Sequence, residues 1–248
     1  MPASQVSPDS WIHRFAVSES SELRLVCFPH AGGSASYFGP LARALAPGVE
    51  TWAMQYPGRQ DRYREPLLDS VTDLADAAFM ALRRELRAPY AFFGHSLGAV
   101  VAFEVARRFE QLTPQGPVRL FASARRAPSV AGQADVHLRD DDGLVQEMTR
   151  LGGTDTAVLA DPELRALVLP VVRADYRAVE NYSPSAGARL TCPVSVLVGD
   201  ADPVTPVSDA AAWDLHTTKG ADVQVFAGGH FYLDWHTAAV ASAITRSL

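Results

Sequence analysis

Apolar residues in this chain fall into short runs, separated by longer stretches in which they recur every three or four positions. Runs at 23–28, 49–54, 90–93, 118–123, 194–198 and 223–226 read as strands, and 12–17 reads as a further strand at a sheet edge. Several are apolar at consecutive positions, as in Leu25-Val26-Cys27-Phe28. A strand covered on both faces has that pattern; one with a wet face alternates. Helical spacing predicts helices over 37–45, 71–86, 97–111 and 234–245. Strand and helix alternate, so the expected fold is α/β: a mostly parallel central sheet flanked by helices, in one domain over residues 1–248. Residues 130–188 interrupt the alternation. They contain helical segments and no convincing strand. Asp161-Pro162-Glu163 reads as a helix start, with proline at the first helical position. Gly152-Gly153 and Ser183-Pro184 read as breaks. The segment is either a lid over a site or a packing subdomain. Its place relative to the motifs below favours a lid.

Composition narrows the function classes. Of 248 residues, 48% are hydrophobic and 20% charged, which excludes a disordered or fibrous chain. The net charge of −6 is the wrong sign for a general nucleic-acid binder, so no nucleic-acid partner is expected. No apolar run approaches the ~18 residues of a spanning helix, so no membrane partner is expected. Positions 1–10 are polar and lack the features of a signal peptide. Cys27 and Cys192 are far apart and suit two reduced, buried thiols. The expected location is cytoplasmic, with no metal site.

The chemistry centres on Gly94-His95-Ser96-Leu97-Gly98. An apolar strand precedes it and a helix follows, the context of a nucleophile elbow. So tight a turn needs glycine on both sides, and it presents Ser96 at the carboxyl end of the sheet above a helix N-terminus. A serine hydroxyl needs a base to take its proton. In the elbow order of serine, acid, histidine, the base lies downstream. His230 is favoured, because Gly228-Gly229-His230-Phe231 falls in the loop between the last strand and the last helix. His216 sits in a polar stretch and His236 inside the last helix, and both are expected to be solvated. His137 lies in the insertion. For the acid, Asp200 and Asp202 both follow the 194–198 strand. Asp200 suits a turn; Asp202, further along and followed by Pro203, is favoured as the partner of the histidine. The oxyanion needs N–H donors. Leu97 N–H is one candidate, and Ala31 N–H, in Pro29-His30-Ala31-Gly32-Gly33-Ser34, is the other. His30 is expected to be a structural hydrogen-bonder.

The elbow, Pro29-His30-Ala31-Gly32-Gly33, Tyr56-Pro57-Gly58-Arg59, Ser123-Ala124-Arg125-Arg126-Ala127-Pro128, Arg173-Ala174-Asp175-Tyr176, Gly199-Asp200-Ala201-Asp202-Pro203 and Gly228-Gly229-His230-Phe231 occur in that order. Together they resemble the type II thioesterases of polyketide synthases and nonribosomal peptide synthetases. The resemblance runs from about Leu23 to Tyr232. Its one small departure is Ala124, where the family usually has glycine. It implies an α/β-hydrolase fold with a helical lid between the sixth and seventh strands, and a Ser96, Asp202, His230 triad. It also implies hydrolysis of acyl thioesters on the phosphopantetheine arm of acyl or peptidyl carrier proteins, with no cofactor on the enzyme. Arg59, Arg62 and Arg64 follow one strand, and Arg125 and Arg126 another. Both clusters are expected on the active-site face as candidate contacts for the arm or the carrier; pairing with nearby acids is the competing reading. Two other functions share the triad or the fold: a carboxylesterase or lipase acting on free esters, and a non-catalytic binding protein.

Overall fold

The computed structural model describes residues 11–15, 23–132, 135–153 and 159–248. Its seven strands are β1 (Ile12–Arg14), β2 (Arg24–Phe28), β3 (Glu50–Met54), β4 (Tyr90–His95), β5 (Leu120–Ser123), β6 (Val194–Gly199) and β7 (Ala221–Phe226). They form one sheet in the order β1-β3-β2-β4-β5-β6-β7. Only β1, at the edge, runs antiparallel, with Ile12 opposite Met54 and Arg14 opposite Trp52. The other pairs are parallel, and β4 sits between β2 and β5 near the centre. Positions 16 and 17 of the expected first strand lie outside the described residues.

The consecutive apolar residues have a direct structural reason. Val26, Phe28, Trp52, Met54 and Phe92 point to one face and pack against α2 (Val71–Glu85) and α3 (Leu97–Leu112). Their neighbours Leu25, Cys27, Ala53, Ala91 and Phe93 point to the other, against α1 (Gly39–Leu45) and the C-terminal helix. Each strand thus supplies two cores by period-2 alternation. The outermost strand, β7, is the exception: Val223 and Val225 are exposed.

The segment between β5 and β6 carries α4 (Asp141–Leu151) and α5 (Pro162–Glu180). Asp140 caps α4 through Gly143 N–H at 2.8 Å, and Asp161 caps α5 through Glu163 and Leu164 N–H. Val136, Leu144, Met148, Leu159, Leu169 and Val172 form a small core of their own. The insertion follows the fifth of the seven strands, not the sixth as the resemblance implied. Leu167, on α5, is exposed. Two further helices follow: the short α6 (Val207–Ala211) after β6, and the long α7 (Tyr232–Ser247), which covers the sheet beside α1. Among the described residues, no helix is long and apolar enough to cross a membrane.

Candidate active site

Ser96 directly follows β4, with φ 55° and ψ −116°, a conformation that a non-glycine residue holds only when its surroundings enforce it. Here they do. Its N–H donates to Ser123 O at 2.8 Å, and Leu97 begins α3 immediately after. A Cβ on Gly98 would fall 1.9 Å from Phe28 O, and one on Gly94 would fall 2.2 Å from Gly98 O. The helix therefore packs against β2 so closely that only glycine fits at both positions.

Three strand ends converge on the serine. His230, in the turn between β7 and α7, accepts from Ser96 Oγ–H at Nε2, 3.0 Å away. Its Nδ1–H donates to Asp202 Oδ2 at 2.8 Å. The other oxygen, Oδ1, accepts from Val204 N–H at 2.9 Å and Thr205 N–H at 3.2 Å. Both His230 and Asp202 are buried. Asp200 is exposed, and its Oδ1 accepts from Gly228 N–H at 2.9 Å, bracing the turn that carries His230. This geometry can deprotonate a serine hydroxyl, hold the imidazole in the required tautomer and stabilise the imidazolium that forms.

Ser96, Leu97, Ala31 and His230 open into one cavity of about 380 Å³. Arg125, Tyr176, Tyr182 and Leu151 also line it, so the insertion supplies part of its wall. Arg125 is half-buried; its Nε is buried and has no hydrogen-bond partner among the described residues, and burial lowers its pKa to about 10, helped by Arg126. Arg126 is tied to Ala131 O and Val204 O. Among the described residues, no cluster of three or more His, Cys, Asp or Glu could hold a metal ion.

Three expectations need correction. Arg59 and Arg62 do not face the site as free cations; both are buried. Arg59 pairs with Asp175 and donates to Gly33 O and Pro57 O, while Arg62 pairs with Glu65 and donates to Gln55 O. Only Arg64 of that cluster is exposed, lying over the Tyr63 ring. His216 is not solvated: its Nδ1–H donates to Ala188 O at 3.0 Å, its Nε2 lies 2.8 Å from Ser129 Oγ, and it is buried. His30 shows no side-chain hydrogen bond among the described residues. Its Nδ1 is buried and unpartnered, and the ring packs edge-on against Tyr37 and Phe231. Burial, then the charges of His230 and Arg59, lower its pKa to about 3. Burial also lowers the pKa of His95 well below the ordinary value, and its Nδ1 is bonded to Ser123 Oγ at 2.8 Å. The residue missed from sequence is Asp175, which joins Gly32 N–H and Arg59 inside the protein.

A mostly parallel sheet with a serine on a strained strand-to-helix elbow, and with acid and histidine after later strands, defines an α/β hydrolase. A family model described as a thioesterase domain matches residues 23–248, and the chain belongs to this thioesterase family, whose members are hydrolases acting on thioesters. It is 50% identical over 231 residues to thioesterase PikA5 of Streptomyces venezuelae, covering 91% of this chain and 82% of that protein. It is 47% identical over 238 residues to the probable cadicidin biosynthesis thioesterase of Streptomyces griseus, covering 96% of this chain and about two thirds (66%) of that protein's length. Among solved structures, the type II thioesterase BorB from the borrelidin biosynthetic cluster superposes with a TM-score of 0.88 at 44% identity, covering 96% of this chain and 97% of that one.

Proposed function

We propose that the protein is an editing thioesterase. It hydrolyses stalled or aberrant acyl groups from the phosphopantetheine thiol of acyl or peptidyl carrier proteins, in polyketide or nonribosomal peptide biosynthesis. The observation that carries this reading is the Ser96–His230–Asp202 relay, opening into a cavity next to Ala31 and Leu97, in a chain whose relatives are biosynthetic thioesterases. His230 Nε2 takes the Ser96 proton as Oγ attacks the thioester carbonyl. Ala31 and Leu97 N–H groups receive the oxyanion. The C–S bond breaks, and His230 returns the proton to the leaving thiol. A water then attacks the acyl-enzyme, with His230 as base, and the free acid leaves. No cofactor enters these steps.

Residues 130–188 act as a lid within a single domain spanning residues 1–248, and the two free, buried cysteines suit a reducing cytoplasm. Arg125 in the cavity and Arg64 outside it are the cations suited to the arm's phosphate or the carrier's acids. Arg126 is already engaged by two carbonyls.

The test is the intact mass of an acyl-loaded carrier protein after incubation with the chain, with Ser96→Ala alongside. Loss of the acyl mass with the wild type alone supports the reading. Survival of the acyl group while a small oxygen ester is cleaved would replace it with a general esterase.

A further inference from the structure

The loop that offers Ala31 N–H belongs to no helix or strand. It runs from the end of β2 to a short 3₁₀ turn at Ala35–Phe38, with Gly32 at φ +74°. Its fixed points come from elsewhere in the chain. Gly32 N–H donates to Asp175 Oδ2 at 2.7 Å, and the same oxygen accepts from Arg59 Nη2. Arg59 donates from Nε to Gly33 O at 2.9 Å and from Nη1 to Pro57 O at 2.7 Å. One carboxylate and one guanidinium thus hold the two residues after Ala31, by an N–H on one and a C=O on the other. The two side chains are 1% and 5% exposed. Asp175 lies on α5, in the insertion. Val172, on the same helix, also closes over the loop: a Cβ on Gly32 would fall 2.6 Å from Val172 Cγ2.

We propose that Asp175 is a positioning residue for the oxyanion hole, so that α5 of the insertion sets the aim of Ala31 N–H. The proposal rests on the serine-hydrolase reading above. A buried ion pair is a weak source of net stability, since desolvation offsets most of the attraction. What it does supply here is direction: charge-assisted bonds converge on one peptide stretch next to the reacting carbonyl. An oxyanion donor is effective only when it is aimed at the tetrahedral oxygen; losing one costs about 10²–10³ in kcat. A carboxylate in the insertion therefore makes the cover of the site and its electrostatics one unit.

The experiment compares Asp175→Ala, Asp175→Asn and Leu169→Ala with the wild type, using an acyl-pantetheine thioester and an alkylboronic acid that forms a tetrahedral adduct with the serine. Leu169 is in the same helix and buried in the insertion's own core, so it controls for lost stability. Asp175→Ala is expected to lower kcat about 30-fold or more, with KM within about threefold, and to weaken the boronic acid in parallel. Asp175→Asn, which keeps an acceptor of the same shape, should fall between Asp175→Ala and wild type. Leu169→Ala should keep its kcat at a matched loss of Tm. Should Asp175→Ala fail to fold, Asp175→Asn decides alone. Unchanged kcat and boronic-acid affinity in the Asp175 variants overturn the proposal, as does an equal loss in Leu169→Ala. A Ser96→Ala enzyme that still turned over would instead sink the serine reading itself.

Discussion

Asp202→Asn is the sharpest test of the relay, because the surrounding backbone dictates which way the new amide must face. Asp202 Oδ1 accepts two backbone N–H bonds, from Val204 and Thr205, and Oδ2 accepts from His230 Nδ1–H. An asparagine satisfies the two N–H groups only by placing its oxygen towards them. Its NH₂ then points at His230 Nδ1, which must become the acceptor. The ring proton moves to Nε2, the atom that faces Ser96 Oγ, and the histidine cannot take the serine proton. The amide escapes by flipping, but this leaves two buried N–H groups facing a donor, at about 1–3 kcal/mol each. A penalty of about 2–6 kcal/mol corresponds to a loss of roughly 30-fold to 10⁴-fold in kcat. The fold has no reason to change, since the substitution is isosteric. The assay is thiol release from an acyl-pantetheine thioester, with Tm measured on the same samples. A loss smaller than tenfold in a folded Asp202→Asn enzyme would refute the tautomer argument.

Other outcomes follow from the geometry. Gly98→Ala should yield little folded protein, because a Cβ 1.9 Å from Phe28 O forces α3 off the sheet; a soluble variant with wild-type Tm would contradict the elbow packing. Acid should destabilise the fold through His30 and His95, whose native pKa values lie below the ordinary 6.5. The unfolded chain binds more protons there, so stability is full above pH 6.5 and falls as pH drops towards about 3, by up to about 1.4 kcal/mol per pH unit for His30. Urea midpoints at pH 7.5 and 5.5 check this, and His30→Phe should flatten the slope. Burial raises the Cys27 and Cys192 thiols, the latter to about 12, so a thiol reagent should label neither in the native protein and both in denaturant.

The sheet was legible in the sequence because strands buried on both faces write themselves as uninterrupted apolar runs. The elbow was legible because its requirements are local: two glycines, a strand before and a helix after. The helices between β5 and β6 were legible as a break in rhythm. What local pattern cannot express is a partner brought in from far along the chain. Arg59 and Arg62 look like a surface cluster because their neighbours Gln60, Asp61 and Arg64 are polar and exposed. Yet Arg59 finds its carboxylate 116 residues downstream. His216 sits in an equally polar stretch and is buried by Ala188 and Ser129, each from a different segment. Its place beside Pro203 favours Asp202 over Asp200, but that the one is buried against His230 and the other exposed and bonded to Gly228 is set by the fold around them.

The Arg59–Asp175 pair also bears on how such enzymes can be recombined. A designer who transplants residues 130–188 from a relative, hoping to carry over its acyl preference, also transplants a carboxylate that needs a guanidinium in the recipient's loop after β3. If the recipient lacks it, the chimera holds an unmatched buried charge beside the catalytic loop. It would lose turnover for reasons unrelated to the acyl chain. Exchanging residues 56–59 together with the insertion keeps the pair intact.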